Sequence, residues 1–327
     1  MKASTLRLAV LGIFGVVYSQ AMAGFESIPT TTPITISGGT TAYIICNPTG
    51  DFGSGSGSGA SVKNPTTSPD NACYISPAPT TDLTAPISGF SLVSTANRQV
   101  TLNNTYSGNT NKNIGTLLDV VWRNAAQTEC IYGMKFTANT TDYNTGNAGN
   151  QYFEANGIAR GGFVDTSTST ARTVEVAYSR SSSTADVVYR AGRTFTSVQH
   201  RPGDVAQPLT GLGSSPSING LDSWPGSASA AQQQADLNSN WVEFTTDVNA
   251  RDDDGSTTAS SAMFYVKTSC SSAAPTAVAN AIRLRQTFQE QSTDGANPAA
   301  NQRFIEVPVT GFVPPNGAVT PTPTSPY

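Results

Sequence analysis

The apolar residues of this chain come in short runs rich in Val, Ile, Tyr, Phe and Trp, each closed off by Gly, Asn, Ser or Pro. Runs of that length and composition suit β-strands and are too short for well-packed helices. Candidate strands lie at 41–46, 92–93, 99–102, 116–122, 130–136, 151–155, 173–178, 186–189, 194–198, 241–248, 262–266, 281–288 and 304–308. Alternation is clear at 130–136, where Cys130, Tyr132 and Met134 share one face and Ile131 and Lys135 the other. The pattern implies an all-β fold, an antiparallel β-sandwich with a jelly roll as one candidate arrangement. One short helix is expected from Ala228 to Leu237, with Ser227 as its N-cap. The stretches Arg160-Gly-Gly-Phe163 and Tyr189-Arg-Ala-Gly-Arg193 read as turns beside strands.

The N-terminus carries a different signal. Lys2 and Arg7 precede the apolar run Leu8–Val17, and Ala21-Met22-Ala23 offers a small-x-small cleavage site. This is the pattern of a secretory signal peptide over 1–23, which places the mature protein outside the cytoplasm, secreted or at the cell surface. A single large sandwich domain is expected over 24–312, with irregular Gly/Ser/Pro-rich loops at 47–85 and 200–226. A Pro-rich extended tail is expected over 313–327. No later stretch is apolar enough to suggest a transmembrane helix.

Charge narrows the partners. The chain has 18 basic and 22 acidic residues, and removal of Lys2 and Arg7 leaves 16 against 22, a net charge of −6. An acidic balance gives no footing for nucleic acid. Only 12% of residues are charged, so surface polarity comes from Thr, Ser, Asn, Gln and Gly. Four cysteines, Cys46, Cys73, Cys130 and Cys270, form an even set suited to disulfides in an exported chain. The favoured pairing is 46–73, which staples a Gly/Ser-rich loop, with 130–270 joining the edges of strong strand patterns. A metal site is disfavoured because no C-x-x-C pair occurs.

The best candidate for bound chemistry is the loop after 241–248. There Asp247, Asn249, Asp252, Asp253 and Asp254 concentrate hard oxygen ligands that suit Ca²⁺, the one cofactor the sequence suggests. The loop does not match an EF-hand, because Ala250 and Ser261 would stand where acids belong. An acidic turn bent at Asp254-Gly255 is the alternative. Catalytic signals are weak. His200 is the only histidine and no G-x-S-x-G occurs. Glu129, Glu154, Glu175 and Glu243 fall on or near strands and read as their polar faces, although paired carboxylates are the means by which a hydrolase would act. Trp122 and Trp241 sit in apolar strands and are expected in the core, whereas Trp224 is the candidate for ligand contact.

These features point to a non-catalytic structural or adhesive protein that assembles with copies of itself, as an oligomer, fibre or layer. A carbohydrate-binding module, calcium-dependent through the acidic loop, is the second expectation, with glycans as partners. A secreted hydrolase with paired carboxylates is the third.

Overall fold

The computed structural model describes residues 25–36, 39–46, 73–76, 79–104, 106–146, 149–179, 188–195, 237–251, 259–287 and 304–319. Among these the chain is all-β, and no helix occurs. In chain order the strands are β1 (Glu26–Ser27), β2 (Ile34–Ile36), β3 (Gly39–Thr41), β4 (Tyr43–Ile45), β5 (Tyr74–Ser76) and β6 (Phe90–Leu102). They continue with β7 (Lys112–Asn124), β8 (Glu129–Ala138), β9 (Ala155–Gly161), β10 (Val164–Asp165), β11 (Thr170–Ala171) and β12 (Val174–Ser179). The last are β13 (Val188–Gly192), β14 (Trp241–Val248), β15 (Met263–Ser269), β16 (Thr276–Thr287) and β17 (Phe304–Val313).

Two large sheets face each other. The first runs β1-β12-β15-β8-β7-β6, with β5 pairing β12 in parallel beside β1. The second runs β17-β16-β9-β14-β13-β4. Apart from β5, every pairing within them is antiparallel. The fold is therefore an antiparallel β-sandwich. Leu117, Val121, Tyr132, Met134, Phe264 and Val266 of the first sheet share one core with Ile158, Val242, Phe244, Leu284 and Val307 of the second. Across the gap Phe244 stacks on Phe264, with ring centroids 5.0 Å apart.

The first sheet also buries its outer face. Trp122, Ile131, Ala177, Met263 and Tyr265 form an apolar layer there. The segment before β6 crosses it, and the Trp122 indole Nε1 donates to the carbonyl of Leu83 at 2.8 Å. Trp122 and Trp241 are both fully buried, as their strands imply.

Several boundaries differ from expectation. The two short strands at 92–93 and 99–102 are the ends of the single strand β6. The residues joining them, Ser94 to Arg98, are polar apart from Ala96 because they lie on a sheet edge, where no apolar alternation is required. The strand expected at 151–155 begins at Ala155 and runs to Gly161. Residues 74–76, inside the expected 47–85 loop, form β5. The stretches around Arg160 and Arg190 are strand, not turn, and both side chains are fully buried. The chain stays packed past 313, since Val313 ends β17 and Val319 is buried beside it. The helix expected at 228–237 lies, except for Leu237, outside the described residues, as does the loop at 200–226.

Both expected disulfides are present, Cys46–Cys73 and Cys130–Cys270. They place the protein in an oxidising compartment. No helix among the described residues is long and apolar enough to cross a membrane.

Candidate functional site

Three arrangements of polar groups stand out, and each starts from a residue that breaks an apolar pattern. The first is Asp119. It shares strand parity with Leu117 and Val121, so it points into the sandwich core. Its Oδ1 accepts from Arg160 Nη2 at 2.8 Å, and Arg160 is likewise fully buried on β9. Its Oδ2 accepts from Arg98 Nη2 at 3.1 Å and from the backbone N–H of Phe312 at 2.8 Å. Arg160 also donates to the carbonyls of Phe312 (2.6 Å) and Gly133 (3.1 Å). One carboxylate thus joins β6, β7, β9 and β17 across the two sheets. A buried charge is tolerable only when paired and hydrogen-bonded, and this one is. The arrangement has the character of a clamp.

The second lies on the outer face of the second sheet. Trp241, Glu243 and Thr245 of β14 have opposite parity to the core residues Val242 and Phe244. Glu243 is fully buried, not on the half-exposed face its strand pattern implies. Its Oε2 accepts from Thr245 Oγ1 at 3.4 Å, and Tyr43 hydrogen-bonds to the same carboxyl. Two small residues make this approach possible. A Cβ on Gly157 would stand 2.6 Å from Glu243 Oε1, and one on Gly192 would stand 2.6 Å from the Tyr43 ring. Burial pushes the Glu243 carboxyl up to about 7, against the opposing pull of Arg285 and Arg190. Burial also lowers the Arg190 guanidinium to about 10 and raises the Tyr43 phenol. Further along the same face, Arg283 and Arg285 pair with Glu306 at 2.9 and 3.0 Å. Of the four glutamates that sequence singled out, only Glu243 is buried. Glu129 is exposed, while Glu154 and Glu175 are half-buried.

The third is an edge. β6 ends the first sheet, and among the described residues all its strand pairing is with β7. Among the described residues no backbone hydrogen bond reaches its other side. Side chains of Ser91, Leu92, Val93, Thr95, Asn97 and Gln99 are exposed, with Leu92 at 44% and Val93 at 38%. The strand carries one charge, Arg98, already paired with Asp119. Long open edges are ready templates for another strand, and proteins normally guard them with Lys, Pro, bulges, inward-pointing charges or brevity. β17, which ends the second sheet, has Pro308 exposed in its middle, and β4 at the other end has three residues. β6 carries two irregularities of register, between Leu92 and Ser94 and between Val100 and Thr101. Between them Ser94–Val100 pairs regularly with Val121–Gly115.

The calcium candidates are only partly placed. Asp247 is the last but one residue of β14 and is half-buried, and Asn249 is fully buried. Asn249 Nδ2 donates to Asp247 Oδ1 at 3.3 Å, so one carboxylate oxygen faces an amide donor. Asp252, Asp253 and Asp254 lie outside the described residues, as do Trp224 and His200. Among the described residues no three His, Cys, Asp or Glu side chains gather as a metal site. A cavity of about 270 Å³ sits under the N-terminal segment, lined by Glu26, Ser27, Ile28, Pro29, Ile34 and Ile44.

Sequence reading missed Asp119, Arg98 and the position of β6 at the end of its sheet. For Asp119 the signal was available, since an acid in the middle of Leu117-Leu118-Asp119-Val120-Val121 must find a cation if the run is buried. Compared with protein-family models, with curated proteins and with solved structures, the chain finds no match in any of the three.

Proposed function

We propose that this chain is an exported structural protein of the cell exterior, secreted through its N-terminal leader, that works by associating with copies of itself. The observation that carries this reading is the edge strand β6, which among the described residues has no strand on its outer side and keeps a regular stretch, Ser94–Val100, with a single charge, beside two other sheet ends that are short or carry a proline. Two further features support it. The clamp at Asp119 fixes β6 against the rest of the sandwich through Arg98, so the edge is held as a firm template. The two disulfides fit service in an oxidising exterior, where covalent staples persist.

Sedimentation of the oxidised protein lacking residues 1–23, over a wide concentration range, tests the proposal. Association that grows with concentration and persists in chelator is expected. A strict monomer throughout overturns it. Association that vanishes in chelator would transfer the assembly role to the acidic loop at 247–254.

A further inference from the structure

The geometry points to a two-fold symmetric partner for β6: a second copy of the same strand, paired antiparallel and centred on Asn97. The inference rests on the self-association just proposed and names the surface and register through which it occurs.

The argument begins with strand parity. In an antiparallel ladder, only alternate residues turn their N–H and C=O groups toward a given side. A new strand on the open side of β6 must meet those residues with its own outward-turned residues. For two identical strands, residue i then faces residue j only when both have the same parity, so their sum is even. The two-fold axis must therefore lie midway between one residue and the same residue of the second copy, so that this residue faces itself across the seam. The regular part of β6 is Ser94–Val100, bounded by the two register irregularities. Its central residue is Asn97, and centring there uses all of it.

That register is also chemically self-consistent. On the outer face Thr95 meets Gln99 of the partner, Asn97 meets the partner's Asn97, and Gln99 meets the partner's Thr95. These are neutral side chains able to hydrogen-bond across the seam, and all three are exposed. On the other face Arg98 meets Ala96 of the partner, so the two guanidiniums do not oppose each other. Arg98 is in addition held by Asp119. A charged peptide would find no countercharge along this edge, whereas a second neutral edge fits without a charge penalty. Isologous pairing of this kind is closed, and it gives a dimer.

The experiment uses the full oxidised protein without its leader. Asn97→Lys places two ammonium groups opposite each other, on an exposed residue whose change leaves the core untouched. It should raise the dimer dissociation constant about tenfold or more, with partial recovery in high salt. Register is read by cysteines. Asn97→Cys should form a disulfide-linked dimer on mild oxidation, whereas Thr95→Cys alone should not, because its partner copy would lie four residues away, about 13 Å along the strand. A mixture of Thr95→Cys with Gln99→Cys should cross-link. If the wild type associates but Asn97→Lys associates equally well and Asn97→Cys does not cross-link, the register and surface are wrong while self-association stands. If the wild type does not associate, both fall.

Discussion

β6 and β17 close the two sheets on the same side of the sandwich, yet they are built differently. β6 runs for 13 residues with one charge and no proline. β17 runs for 10 and carries Pro308 exposed midway, where the missing N–H prevents continuous pairing. The same carboxylate touches both, since Asp119 holds Arg98 of β6 and the N–H of Phe312 in β17. Arg98 also lies over the Phe312 ring, 5.1 Å from its centroid. The difference teaches that edge protection is chosen strand by strand. Among the described residues one edge is interrupted by proline, while its neighbour keeps the regular stretch Ser94–Val100 with no strand beyond it, over one shared core.

The largest expected effect breaks the link between the two edges. Asp119→Ala leaves Arg160 buried without its carboxylate and should destabilise the fold by about 3–5 kcal/mol in denaturant titration. A loss under 1 kcal/mol would mean the clamp is not what joins the sheets. Next come the staples. On the chain-entropy model, removing Cys130–Cys270, with its separation of 140 residues, should cost up to about 5 kcal/mol, and removing Cys46–Cys73, with 27, up to about 3.5. Thermal melts of the paired Cys→Ala variants should keep that order, and both should leave edge pairing intact in whatever fraction stays folded.

The outer face of the second sheet gives a pH-dependent contrast. Glu243 titrates near 7 when folded, against 4.5 for a free glutamate. Below pH 4.5 it is protonated in both states and contributes no pH dependence. Between 4.5 and 7 the unfolded chain releases the proton while the fold retains it, so stability falls as pH rises. Glu243→Gln should flatten the stability profile in that window. An unchanged profile would show that another group governs it. The smallest effect tests the guard itself. Pro308→Thr restores a backbone donor to β17 and should increase association modestly, detectable as a larger sedimentation coefficient at high concentration.

Much of the fold was legible because the core strands are buried on both faces and read as apolar runs. Thr116–Trp122 and Trp241–Val248 both became central strands. β6 was legible only at its ends. Its middle is polar on a solvated edge, and an alternation that burial does not enforce leaves no trace in sequence. Arg160 and Arg190 misled for the opposite reason. Beside Gly and Phe they resembled turn residues, and only the approach of Asp119 and Glu243 from other strands makes their burial possible. Such pairings link residues far apart in the chain, and no local pattern encodes them. Four cysteines allow three pairings, which sequence alone does not separate, and the one favoured for its loop closure and strand edges is the one present.

Amide hydrogen exchange as a function of protein concentration tests the central claim most directly. If β6 is the seam, the outward-turned amides of residues 94–100 should exchange more slowly as concentration rises, in an alternating pattern, while those of β17 stay unchanged. Exchange in β6 that is independent of concentration, in a sample that sedimentation shows to be associated, would contradict it.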